Sequence, residues 1–205
     1  MKEFSIVMSL VDFIPVIFFA VGAIILQRDL YPKMSKGAFA LFAAGTIDVI
    51  CAGALKALYK LLYAANVCDF DALNKLFFPL QSIGFLLAGI GVVACLTHRQ
   101  SEKESNLAAV AAPAAFSGTM IFVTLMVLGL GMMDAGLCVI AAKRKKAGII
   151  ALLVVSFICC LGMGYLSTKT FDKAFMNWVA EGVNVVGQLF YMLAAIAISK
   201  AKKNA

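Results

Sequence analysis

Six apolar runs, each long enough to cross the hydrocarbon of a bilayer, take up most of this chain: Phe4–Leu26, Gly37–Leu62, Leu76–Leu96, Phe116–Ala142, Ala147–Leu166 and Phe175–Ser199. A spanning helix needs roughly 20 consecutive apolar residues. Backbone groups in lipid must be satisfied within the segment, so such runs form helices. The pattern predicts an all-α membrane protein with six transmembrane helices in a single polytopic domain over residues 1–205. Connectors of a few polar residues predict antiparallel neighbours. The stretch Leu107–Ala142 is longer than one span. Pro113 and the Ser117-Gly118-Thr119 cluster mark a break, with Leu107–Ala112 read as an interfacial lead-in.

Composition agrees. The chain is 63% hydrophobic and only 14% charged, with a net charge of +7. That is too little charge to cover a soluble surface. The first run is longer than the apolar core of a signal peptide and is expected to be retained. The positive charge is expected to serve topology and contact with anionic lipid rather than nucleic acid. Five of the six cysteines fall inside runs and no CxxC occurs, which predicts packing rather than a disulfide framework. His98 is the only histidine, so sites needing two histidines are excluded, and no nucleotide-binding or hydrolase motif is present. No metal, cofactor or catalytic residue is expected.

Two halves echo each other, about 1–97 and 107–205. The turns Cys68-Asp69-Phe70-Asp71 and Lys169-Thr170-Phe171-Asp172 share a Phe-Asp pair. The third spans share a polar-x-x-Gly step, Gln81-Ser82-Ile83-Gly84 and Asn184-Val185-Val186-Gly187. Three spans repeated through short antiparallel connectors predict an inverted repeat, an arrangement common in transporters. Lys and Arg are then only slightly more frequent on the side of the N-terminus. The expectation is a cell-membrane protein with both termini cytoplasmic.

Four acids lie in the apolar runs: Asp12, Asp48, Asp134 and Glu181. An ionisable group at the bilayer centre costs about 3 kcal/mol or more, so it faces a pathway or a partner. Asp48 shares a helix face with Ala44, Gly45, Cys51, Ala52 and Tyr59 and is expected to point into the bundle. Trp178, Glu181, Asn184, Gln188 and Tyr191 form one polar stripe on the sixth span. A carboxylate between aromatic rings suits a cation, while an interhelical hydrogen-bond seam is the structural reading of the same stripe. Asp134 lies among Gly129, Gly131 and Gly136. Asp12 precedes Pro15 by one turn, and Pro79 precedes Gln81; each proline frees a carbonyl. Asp12 is expected to snorkel toward the headgroups, and Lys56 and Lys60, one turn apart, to reach the headgroups as well or to pair with an inward acid.

These residues predict a small transporter or channel with an acidic intramembrane site for a cation, a proton-coupled solute or an organic amine. Asp48 and Glu181 carry the negative charge, Asn184, Gln188, Gln81 and Asp134 add polar groups, and Trp178 and Tyr191 shape the site. The alternative is a membrane-embedded substrate-binding or assembly subunit of a larger complex. Gly- and Ala-rich faces leave room for a homo-oligomer.

Overall fold

The computed structural model describes residues 5–97, 119–166 and 174–203. The lead-in expected over Leu107–Ala112, His98 and the Lys169–Asp172 turn lie outside the described residues. The helices are α1 (Ile6–Val11), α2 (Phe13–Leu30), α3 (Lys36–Ala64), α4 (Asp71–Thr97), α5 (Thr119–Lys143), α6 (Ala147–Leu166) and α7 (Ala174–Lys203), with a short 3-10 turn at Tyr31–Lys33. Counting α1 and α2 together, six helices are long and apolar enough to cross a membrane. Large apolar side chains such as Ile17, Ile24, Ile47, Leu128 and Ile158 point outward at mid-helix.

Local chemistry sets the breaks. Ser5 caps α1 by accepting from the Met8 amide at 3.1 Å, and Ser35 caps α3 by accepting from the Ala38 amide at 3.2 Å. Pro15 has no N–H for the carbonyl of Val11, and the helix breaks at Asp12, between α1 and α2. At the end of α5, Lys145 takes φ 54°, with Lys146 N–H donating to Ala141 O at 3.2 Å and Lys145 N–H to Ala142 O at 2.9 Å. Asn66 ends α3 in the same way, at φ 55°. This double closure satisfies the last carbonyls and turns the chain sharply.

The six long helices form a closed ring in chain order, α7 returning to α2. Two glycine crossings fix its tightest seams. A Cβ on Gly84 of α4 would stand 2.8 Å from the Gly45 carbonyl and 2.9 Å from Val49 of α3, and Gly129 of α5 backs onto the Leu86 amide of α4. Small residues let backbones approach this closely, which is how apolar helices associate without a hydrophobic driving force.

The register along these seams decides the topology. Ser82 Oγ approaches Phe122 O at 2.6 Å, Gly89 meets Gly129 and Met132, and Gly136 meets Val92 and Leu96. Residue numbers on α4 and α5 rise together, so the two helices are parallel. The expectation that every neighbour is antiparallel therefore fails at this junction. The chain begins at one end, here the amino end, and α7 finishes at the other, the carboxyl end. Termini on the same face are not what the described helices show.

The inverted repeat fails for the same reason. Units α2–α3–α4 and α5–α6–α7 both start at the amino end. Their seams correspond: Gly84 against Gly45 and Val49 is matched by Gly187 against Ser156 and Cys159, and Gly129 against Leu86 by Gly22 against Tyr191 and Met192. The polar-x-x-Gly echo marks equivalent crossings, α3 with α4 and α6 with α7, in two units of the same orientation.

The core fills the carboxyl half of the ring: Leu26, Leu30, Phe42, Met133, Leu137, Leu153 and Ile198 are almost completely buried. Phe19 stacks on Tyr191 with ring centroids 5.0 Å apart and meets Phe85 edge-on at 5.9 Å, making a layer across mid-bundle.

Candidate functional site

Above that aromatic layer, toward the amino end, the ring encloses a cavity. The empty space is about 920 Å³, counting its open mouth. Every long helix contributes to it. Asp12, Pro15, Val16 and Phe19 come from the start of the chain, Gly53, Lys56 and Lys60 from α3, and Phe77, Phe78, Gln81 and Phe85 from α4. Met126 and Leu130 of α5, Cys160 and Met163 of α6, and Glu181, Asn184 and Gln188 of α7 complete it.

Charge is concentrated near the mouth. Lys60 Nζ lies 2.6 Å from Asp12 Oδ2 and 2.8 Å from Glu181 Oε1, and it donates a hydrogen bond to the latter. The side chains of all three are nearly buried, at 12%, 6% and 8% exposure in the order Lys60, Asp12, Glu181. The contact from Lys60 to Asp12 Oδ2 is a second charge-assisted hydrogen bond of the same ammonium. Asp12 Oδ1 and Glu181 Oε2 accept no hydrogen bond from an N–H or hydroxyl among the described residues, and the two carboxyls lie within hydrogen-bond reach of each other. Lys56, one turn before Lys60, makes no ion pair or hydrogen bond with a described residue. Its ammonium rests over the Phe77 ring, 3.8 Å from the centroid, with Phe78 at 5.8 Å.

Of the expected site residues, Glu181, Asn184, Gln188 and Gln81 line this one cavity. Gln188 Nε2 also donates to Cys160 Sγ at 3.5 Å. Tyr191 lies just beneath, in the aromatic layer, with its hydroxyl unpartnered among the described residues. Trp178 is 42% exposed and faces away. Asp48 is not in the lining. The Gly45–Gly84 crossing turns Gly45, Val49 and Ala52 toward α4, and Asp48 is left half-buried at the edge of that face, with no hydrogen bond or ion pair to a described residue. Asp134 sits one turn deeper than Leu130, fully enclosed, and neither oxygen has a partner among the described residues. Cys160 of α6 and Tyr191 of α7 are its polar neighbours across the helix contacts.

Of the two expectations for Lys60, headgroup contact or pairing with an inward acid, the structure shows the second, with partners the sequence did not identify. Asp12 and Lys60 do not snorkel: they meet inside the bundle. The signal was present in the Pro15 break and in the one-turn spacing of Lys56 and Lys60, but the partner, Glu181, is 121 residues away. A second ionic cluster closes the carboxyl end. Arg144, just past α5, lies with Nη2 2.7 Å from Asp29 Oδ2 and with Nη1 on the Ile198 carbonyl of α7, and Lys33 lies 3.4 Å from the same Asp29 oxygen. Asp29 is 5% exposed.

Comparison with models of protein families, with curated proteins and with solved structures finds no match for this chain.

Proposed function

We propose that this protein is an integral membrane carrier for a small polar solute, with the cavity at its amino end as the binding site. The observation that carries the reading is the cavity itself. It is a hydrogen-bonding and charged space enclosed by six helices whose outer faces are apolar. Ionisable groups at such depth are expensive and mark solute or ion pathways, and sites between helices of a bundle are a usual place for small ligands.

The carrier reading is favoured over a channel because the cavity stops. Phe19, Phe85 and Tyr191 floor it, Met133 and Leu137 fill the space beneath, and Asp29 with Arg144 ties α2, α5 and α7 together at the far end. Passage then requires the two three-helix units to rock against each other. Parallel repeats related by an axis along the membrane normal are one of the known carrier designs.

The charge distribution gives an orientation. Arg28, Lys33, Lys36, the Lys143–Lys146 run and Lys200–Lys203 belong to the carboxyl end. Lys75 belongs to the amino end, where Lys56 and Lys60 are taken up by the cavity. Basic residues in short loops favour the cytoplasm, so the carboxyl end is cytoplasmic and the cavity opens away from it.

The test is reconstitution of the purified protein in liposomes with a panel of labelled amino acids, amines, carboxylates and sugars. Saturable uptake of one class, abolished by Gly53→Trp in the cavity wall, is expected. A solute that binds the purified protein but shows no flux would overturn the carrier and leave a substrate-binding or assembly subunit of a larger complex in its place.

A further inference from the structure

The cavity contains more than a hole of the right size; it contains unmet polar atoms of both kinds. Asp12 and Glu181 are each at least nine-tenths buried and lie against each other, and Asp12 Oδ1 and Glu181 Oε2 face no N–H or hydroxyl donor among the described residues. Buried acceptors in native proteins are almost always satisfied, so each exception calls for an explanation. One turn away, Lys56 presents an ammonium whose neighbour is an aromatic ring and not a carboxylate. A simple cation would meet the acceptors but would be set against two lysines. A simple anion would meet Lys56 and leave the carboxylate oxygens bare.

We propose that the cavity binds a small zwitterion carrying a primary ammonium and a carboxylate, as in a free amino acid. The ammonium sits on Asp12 Oδ1 and Glu181 Oε2, and the carboxylate sits on Lys56. Lys60 is the fixed internal counterion that holds the two acids in place. The remainder of the molecule points inward toward Phe85 and Leu130, where an apolar side chain is accommodated. This inference rests on the carrier reading for its biological sense, but the binding it describes is measured without transport.

The test uses the full chain, purified in detergent, and compares L-leucine, L-phenylalanine and glycine with two analogues of leucine: leucinamide, which keeps only the ammonium, and 4-methylpentanoate, which keeps only the carboxylate. At least one zwitterion is expected to bind about tenfold or more tighter than either single-charge analogue, the difference that one lost charge-assisted hydrogen bond makes. Lys56→Gln is expected to raise its Kd by a similar factor without moving the unfolding midpoint of the ligand-free protein, and Lys56→Arg to restore part of the affinity. Leucinamide binding as tightly as leucine would overturn the proposal in favour of a cation site. Equal binding of 4-methylpentanoate would overturn it in favour of an anion site. Binding of none of the five would mean that the oxygens of Asp12 and Glu181 satisfy each other by sharing a proton. Zwitterion binding without flux in liposomes removes the carrier and keeps this inference, whereas flux of a sugar or a simple amine keeps the carrier and removes this inference.

Discussion

Lys60 on α3 stands 2.8 Å from Glu181 on α7, and the same ammonium is 2.6 Å from Asp12 at the break between α1 and α2. One cation therefore holds two acids from two other helices in a nearly buried space. Removing one member of a buried ionic group leaves uncompensated charge and costs about 3–5 kcal/mol. Lys60→Met is expected to lower the thermal unfolding midpoint in detergent markedly. The triple variant Lys60→Met, Asp12→Asn, Glu181→Gln is expected to regain much of that loss. An unchanged midpoint in the single variant would show that Lys60 does not hold these helices.

The parallel course of α4 and α5 places Ser5 and Lys200 at opposite ends of the bundle. In a cysteine-free background, cysteines introduced at residues 5 and 200 are expected to react with an impermeant maleimide from opposite sides of the membrane, residue 200 from the cytoplasm. Reaction of both from one side would contradict the topology.

Gly129 is set directly against the α4 backbone at Leu86, and a Cβ there has nowhere to go, since it would meet main-chain atoms of Phe85 and Leu86. Overpacking of this kind costs about 1–3 kcal/mol. Gly129→Ala is expected to lower the unfolding midpoint by several degrees. Gly182→Ala on α7, where nothing lies within 4 Å of an added Cβ, is the control and is expected to be neutral or to stabilise by about 0.5–1 kcal/mol through helix propensity. Equal effects at the two positions would remove the argument that the α4–α5 seam is the tight one.

Asp134 has no hydrogen bond to lose among the described residues, and an enclosed polar group without a partner is destabilising by about 1–3 kcal/mol. Asp134→Leu is expected to raise the unfolding midpoint. If it also abolishes uptake in liposomes, the acid is kept for transport at the expense of stability. A lowered midpoint would mean that Asp134 has a partner essential to the fold.

Much of the fold was legible because apolar length is a strong signal. The fifth run coincides with α6, Ala147–Leu166, and Glu181, Asn184 and Gln188 of the stripe on the last span line one cavity. Two things were hidden. Connector length alone does not give helix direction, and the parallel course of α4 and α5 reverses every helix after them. The polar-x-x-Gly echo was therefore real as packing but assigned the wrong orientation. The rotation of α3 was hidden as well. A helical wheel puts Asp48 with Gly45 and Ala52, but the close approach of Gly84 selects the side centred on Gly45 and Val49, and Asp48 falls at its margin. Which small residue meets a partner backbone depends on the partner.

Two units that enter the bundle at the same end need no inversion of either one to pair. A single three-helix chain can meet a second copy of itself in that ring, so a duplicated gene would inherit a working arrangement from a homodimer. Identical copies, however, would place identical charges on both sides of the axis. Here one unit supplies Asp12, Lys56 and Lys60, while the other supplies Glu181, Asn184 and Gln188. Because both units belong to one chain, a frame of matching seams carries different groups on its two sides.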